Sequence, residues 1–314
     1  MGKTALFGAA GAIGNSIAAA LREQKQPYRV VGRSKAELEK VFGADPLAEI
    51  VSWNPDDPTS VRAACSGVDT LIYLIGVPYN HFELHPVLMQ KTLDGAIAEG
   101  VQRLVLIGTV YPYGRARTPK VTEDHPREPH TFKGRMRKAQ EDLLLKAHNE
   151  GRIQATILRL PDFYGPNIER SFLDSLFKAA AHGGKADMIG PIDLPHEFIY
   201  VPDTGPVVLA LAAIPEAYGK WWNLAGAGVI TQREIATKAF ALAEREPKIR
   251  VAGKTALRIV GLFNPIMREL VEMHYLVTEP LLMDDSALHG LLGEIHKTPY
   301  DEGIQLTLEA YRRT

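Results

Sequence analysis

The chain has 314 residues, with 36 Lys and Arg against 37 Asp and Glu, a formal net charge of -1. This balance gives no electrostatic footprint for nucleic acid, and a 46% hydrophobic content argues against disorder. The single cysteine, Cys65, excludes an internal disulfide and a thiolate metal cluster, and no apolar window of about twenty residues predicts a membrane span. The first residues lack the charged and apolar regions of a signal peptide. A reducing, aqueous, cytoplasmic setting with neither membrane nor nucleic acid as partner is expected.

The first strand, Thr4 to Phe7, is apolar and runs into Gly8-Ala9-Ala10-Gly11-Ala12-Ile13-Gly14. A helix follows, with Ile13, Ile17 and Leu21 at i, i+4, i+8. Glycine permits a tight turn and the close approach of a pyrophosphate, whose charge meets the helix N-terminus. A glycine triplet between a strand and a helix therefore predicts dinucleotide binding by Gly8, Ala10, Gly11, Ala12, Ile13 and Gly14. The second strand, Arg29 to Val31, ends before Gly32-Arg33-Ser34. Arg33 stands 19 residues past Gly14 (33 − 14), where an NAD-preferring site places an acid for the ribose 2′-hydroxyl. An arginine can instead fork onto a 2′-phosphate, with Ser34 adding a hydroxyl, so NADP is the expected cofactor and NADPH is preferred over NADH.

Apolar strands at Thr70 to Ile75, Leu104 to Ile107 and Ala155 to Leu160 alternate with helical patterns at Val87 to Glu99 and Met136 to His148. Near-continuous apolar strands require burial on both faces, so the expected fold is α/β, a doubly wound parallel sheet of the Rossmann kind. After about residue 165 the pattern changes to helices broken by Gly183-Gly184 and by turns around Pro191 and Pro195. Residues 1–165 are expected to form the dinucleotide-binding domain and 166–314 a smaller substrate lobe, with a strand or helix near 196–215 returning to the first domain. The stretch Leu257 to Leu282 has helical spacing that fits a membrane-surface helix, but its polar face lacks a dense basic run, so packing in the core or between subunits is expected in preference. His81 and His85 follow the third strand, and a loop over the nicotinamide is expected there in preference to a metal pair. Asp56 and Asp57 fit a proline-flanked helix cap. No metal site is expected.

With these residues in hand, the chain resembles the extended short-chain dehydrogenase/reductase family, the NAD(P)-dependent epimerase/dehydratase group. The resemblance rests on Gly8, Gly11 and Gly14, on Gly100-Val101-Gln102-Arg103-Leu104-Val105, and on Arg159-Leu160-Pro161-Asp162-Phe163-Tyr164-Gly165-Pro166. Phe198 to Asp203 and Trp222-Asn223-Leu224 extend it, so that it covers about residues 3 to 245. It implies cofactor contacts at Asn54, Ile75, Gly76, Val77 and Pro161, an adenine contact as the equal alternative to a helix cap at Asp56 and Asp57, and a homodimer built on the helices around Leu88 to Glu99 and Met136 to His148. It also implies a catalytic hydroxyl at Thr109, four residues before Tyr113-Gly114.

Two departures from the family pattern bear on the chemistry. Where the family has Tyr-x-x-x-Lys, this chain has Lys133-Gly134-Arg135-Met136-Arg137, with Glu141 in the acid position four residues on. Lys133 is then a candidate proton donor or a cofactor or substrate contact, and Arg137 a fixed charge near the nicotinamide ribose. Tyr79, Tyr111, Tyr113 and Tyr164 are alternative phenols. Sugar-nucleotide members grip a diphosphate with arginine where this chain has His196, and carry a neutral asparagine where it has Asp162. Substrate contacts are expected at Tyr79, Tyr111, Asp162 and His196, and the two replacements suit a smaller, uncharged or cationic substrate. The expected function is an atypical NADP(H)-dependent oxidoreductase acting on a small carbonyl or hydroxyl compound. A nucleoside-diphosphate-sugar epimerase or dehydratase, and a non-catalytic NADP(H)-binding sensor or structural protein, are the alternatives.

Overall fold

In the computed structural model, which describes residues 2–166, 168 and 171–313, eleven strands are present. They are β1 (Thr4–Phe7), β2 (Tyr28–Gly32), β3 (Ala48–Ser52), β4 (Thr70–Tyr73), β5 (Arg103–Thr109) and β6 (Gln154–Leu160). Short strands follow: β7 (Asp162–Tyr164), β8 (Ala186–Ile189), β9 (Phe198–Tyr200), β10 (Trp221–Asn223) and β11 (Ile249–Ala252). Seven of them form one sheet in the order β10-β6-β5-β4-β1-β2-β3, parallel throughout. The chain leaves β1 toward β2 on one side and later reaches β4 on the other. That reversal opens a crevice beyond the carboxyl ends of β1 and β4, the position at which doubly wound sheets bind ligands.

The strands are apolar on both faces because each face is covered. Leu6, Val30, Ile72 and Val105 join one core with Ile17 and Leu21 of the helix Ala12–Glu23. Ala5, Phe7, Leu71 and Leu104 join the other, with Val61, Met89, Leu93 and Leu144 from the helices Pro58–Cys65, Leu84–Ala98 and Phe132–Asn149. Cys65 is fully buried in this second core. The edge strands carry weaker patterns. Strand β3 reads Ala-Glu-Ile-Val-Ser and is only partly covered, and apolar continuity does not reveal it.

The helix Thr204–Ala213 lies in sequence beyond residue 165 but packs on the helix Ala12–Glu23. Ser16 donates its hydroxyl to the Pro202 carbonyl at 2.9 Å and accepts from the Gly205 amide at 2.9 Å. A side chain at Gly205 would place its Cβ 2.3 Å from the Ser16 carbonyl oxygen, so only glycine allows this approach. Strand β10 also returns, pairing with β6 through Trp222 opposite Leu158. Of the other C-terminal elements, those bearing Phe177, Phe240 and Leu308 gather around a third core, Met273, Leu276 and Met283 pack with Tyr113 and Val121 in a fourth, and Leu288 joins the first. None of the described helices is long and apolar enough to cross a membrane.

Candidate active site

The turn after β1 shows a division of labour among its glycines. Gly8 has φ +90°, and a Cβ there would stand 2.9 Å from the Ile75 backbone, so glycine lets β1 and the segment after β4 converge. At Gly14 a Cβ would lie 2.1 Å from the Ala9 carbonyl oxygen, so glycine seats the helix against the turn. At Gly11 and Gly76 a Cβ would meet nothing within 4 Å. Gly11 is the N-cap of the helix Ala12–Glu23 and supplies no side-chain cap, leaving the first-turn amides without side-chain acceptors at the crevice. Open space at Gly11 and Gly76, flanking a turn with uncapped amides, fits a pyrophosphate.

Farther along the rim, Arg33 is exposed at the end of β2. Ser34 caps the helix Lys35–Phe42, accepting from the Glu37 amide at 3.2 Å, which leaves its hydroxyl proton free to donate. Asn54 accepts from the Asp56 amide at 3.0 Å and shapes the turn after β3. Asp57 is the N-cap of Pro58–Cys65, accepting from the Thr59 amide at 2.9 Å, and Asp56 pairs with Lys91. Ile75, Gly76 and Val77 follow β4, and Pro161 is buried between β6 and β7.

Thr109 ends β5, and its hydroxyl accepts from the Tyr111 amide at 3.4 Å. Of the four phenols, two are structural. Tyr113 donates to Asn223 Oδ1 at 2.8 Å with the Arg159 guanidinium 4.2 Å from its ring centre, and Tyr164 is buried beside Tyr200 and Tyr300. Tyr79 and Tyr111 remain, with hydroxyls 3.3 Å apart. Burial, reinforced by the Asp162 carboxylate, pushes the Tyr111 phenol up to about 12, and burial raises Tyr79 too. Both phenols are therefore protonated at neutral pH, the form in which a phenol can give a proton to a developing alkoxide. Asp162 Oδ2 lies 2.7 Å from His196 Nε2, and the imidazole lies against Phe198 with ring centres 4.6 Å apart.

Helix Phe132–Asn149 starts at Thr131, whose hydroxyl accepts from the Gly134 amide at 3.0 Å. A cation in its first turn opposes the helix dipole, and the structure supplies the compensation from outside. Lys133, 1% exposed, donates to Glu269 at 2.5 Å and to Glu272 at 2.9 Å, and Glu272 also accepts from the Lys133 amide at 3.2 Å. Its ammonium stands 5.1 Å from the Tyr79 ring centre and 5.7 Å from that of Phe82. Glu269 and Glu272 lie one helical turn apart on Pro265–Met273, beyond the reach of the family motifs, and sequence reasoning missed them.

Arg137 is buried and donates to Gln140 Oε1 at 2.8 Å and to the Ile107 carbonyl at 3.2 Å, with His85 Nδ1 also 3.2 Å away. Burial and this guanidinium hold His85 down to about 2, so it is neutral and accepts. His81 is exposed and pairs with Glu83 instead, which separates the two histidines chemically.

Comparison with known proteins adds to this geometry. The model of the NAD dependent epimerase/dehydratase family matches residues 5–225. A protein of Streptomyces antibioticus named probable dTDP-4,6-dihydroxy-2-methyloxan-3-one 4-ketoreductase is 25% identical over 266 residues, covering 81% of each chain. The dTDP-6-deoxy-L-talose 4-dehydrogenase (NAD(P)(+)) of Kitasatospora kifunensis is 25% identical over 224 residues, 67% of this chain and 70% of its own. Among solved structures, a dTDP-glucose 4,6-dehydratase from Bacillus anthracis in complex with NAD superposes with TM-score 0.83 at 14% identity, covering 99% of this chain and 96% of that one. The UDP-glucuronic acid 4-epimerase of Bacillus cereus, in complex with NAD, gives TM-score 0.82 at 16% identity over 99% of both chains. At such identities the structural likeness is one of fold.

Proposed function

The chain belongs to the NAD dependent epimerase/dehydratase family, and from that premise we propose that it is an NADP(H)-linked oxidoreductase acting at a carbonyl or hydroxyl carbon of a small molecule. When bound, the cofactor supplies or takes up hydride. The Gly8 to Gly14 turn holds its pyrophosphate on the open side of Gly11, and Arg33 with Ser34 binds the 2′-phosphate. Thr109 and Tyr111 hydrogen-bond the substrate oxygen, and Tyr111 gives up the proton that an alkoxide needs. The observation that carries this reading is the Tyr79–Tyr111 hydroxyl pair beside Thr109 at the carboxyl end of β5. We assign the donor role to Tyr111 in preference to Lys133, whose ammonium already serves two carboxylates. Lys133, buried and held by Glu269 and Glu272 beside the Tyr79 and Phe82 rings, serves as a positioning residue behind the phenols.

A second reading takes a nucleotide-linked sugar as substrate. The names of both curated relatives favour it, one a dTDP-sugar ketoreductase and the other a dTDP-sugar dehydrogenase. Against it stands the Asp162 carboxylate, 2.7 Å from His196, which would repel a diphosphate.

The test is NADPH consumption with a panel of simple aldehydes and ketones beside dTDP- and UDP-linked keto sugars. Tyr111→Phe is expected to lower kcat by about 10²–10⁴-fold with the accepted substrate. An unchanged kcat removes Tyr111 from the donor role, and turnover confined to the nucleotide-linked sugars selects the second reading. For cofactor choice, Arg33→Asp is expected to move the NADPH-to-NADH preference by about tenfold or more toward NADH, the loss of charge-assisted bonds to a phosphate. A ratio of kcat/KM values that does not move contradicts the assignment of Arg33.

A further inference from the structure

Periodicity places the stretch Leu257 to Leu282 in the core or between subunits, and the structure buries part of it and leaves part exposed. Helices Lys254–Gly261 and Pro265–Met273 form a hairpin. A Cβ at Gly261 would stand 2.9 Å from the Arg268 Cα, so glycine lets the two helices touch. Leu257 and Met273 face inward and are buried. Ile259, Val260, Leu262 and Phe263 face outward, and Leu262 at 78% and Phe263 at 89% are the most exposed large apolar side chains among the described residues. Segment 253–268 also contains Lys254, Arg258 and Arg268, and the next residue, Glu269, lies 4.0 Å from Arg268. All three cations are exposed, and among the described residues neither Lys254 nor Arg258 has a carboxylate partner.

We propose that this hairpin tip docks on an anionic lipid surface, with Ile259, Val260, Leu262 and Phe263 entering the headgroup region and Lys254, Arg258 and Arg268 meeting lipid phosphates. The combination of apolar side chains at a convex turn with cations on both flanks is that of an interfacial helix. A second copy of the chain fits the tip poorly. A two-fold interface would bring the same three cations face to face. The hairpin that carries the tip also carries Glu269 and Glu272 to Lys133, so docking sets the cleft at the lipid surface. This proposal stands independently of the substrate assigned above.

Cosedimentation of the full chain with phosphatidylcholine vesicles, with and without phosphatidylserine, tests it. The wild type is expected to sediment with the phosphatidylserine vesicles and to be released as salt rises. The double variant Leu262→Ser/Phe263→Ser should partition at least about tenfold more weakly, from the loss of two inserted apolar side chains. Arg258→Glu should weaken binding several-fold, and both variants should melt at the wild-type temperature because the altered side chains are exposed. Absence of wild-type sedimentation overturns the proposal, as does equal sedimentation of both variants. A concentration-dependent dimer abolished by the double variant also overturns it, because the tip would then be an interface between copies.

Discussion

Glu141→Gln is expected to lower the free energy of unfolding by about 3–5 kcal/mol, the cost of removing one partner from a buried ion pair. Glu141 is 2% exposed and Arg159 fully buried. The two are joined twice, Arg159 Nε to Oε1 at 3.0 Å and Nη2 to Oε2 at 2.5 Å, and Arg127 adds a third bond at 2.8 Å. The Arg159 guanidinium also packs on Tyr113 and Trp221, at 4.2 and 4.9 Å from the ring centres. Glutamine keeps an acceptor but leaves two guanidinium groups close together with no carboxylate between them, Arg127 retaining only its half-exposed partner Asp142. Replacing both members, Glu141→Gln with Arg159→Met, should recover part of the loss because the uncompensated charge disappears. Urea unfolding of the three proteins checks this. A loss below about 1 kcal/mol in the single variant would mean that the pair does not organise this part of the sheet.

Gly14→Ala is expected to destabilise the fold by about 2 kcal/mol or more, although alanine is the better helix former by about 1 kcal/mol. The reversal of sign comes from the Ala9 carbonyl oxygen, 2.1 Å from the position of the added methyl, with the Ala9 carbonyl carbon at 2.7 Å. Both are backbone atoms of the turn itself, so relief requires moving the helix off the sheet. Gly11→Ala supplies the contrast. It meets nothing within 4 Å and has φ -76°, so stability should hold while nucleotide affinity falls. Thermal melts of the two variants separate the roles, and a Gly14→Ala protein as stable as the parent would contradict the packing argument.

The pattern of what was legible in the chain follows from which forces act locally. Strands β1, β2, β4, β5 and β6 are readable because burial on both faces leaves an unbroken apolar run. Strand β3 at the sheet's edge is half covered and carries Glu49, which pairs with Arg29 and Lys3, so its pattern is broken by polar residues. The nucleotide turn is readable because its glycines answer local constraints within a few residues. The surroundings of Lys133 are not, because Glu269 and Glu272 reach it from 136 and 139 residues away and their helix bears no family motif. Ranking the four tyrosines likewise requires tertiary contacts, since Asn223 engages Tyr113, and Tyr200 and Tyr300 pack on Tyr164. The hairpin is readable only in part, because a 3.6-residue repeat reports an apolar stripe without saying what covers it: Leu257, Met273 and Leu276 are buried, while Gly261 to Asn264 turns Leu262 and Phe263 outward.

Calorimetric titration of the wild type and Gly11→Val with NADPH and NADH tests the dinucleotide crevice most directly. Saturable heat with NADPH, weaker with NADH, and lost in Gly11→Val while its melting temperature stays at the wild-type value, is the result this account predicts. A flat wild-type titration with both nucleotides, or Gly11→Val binding NADPH as tightly as its parent, would contradict it.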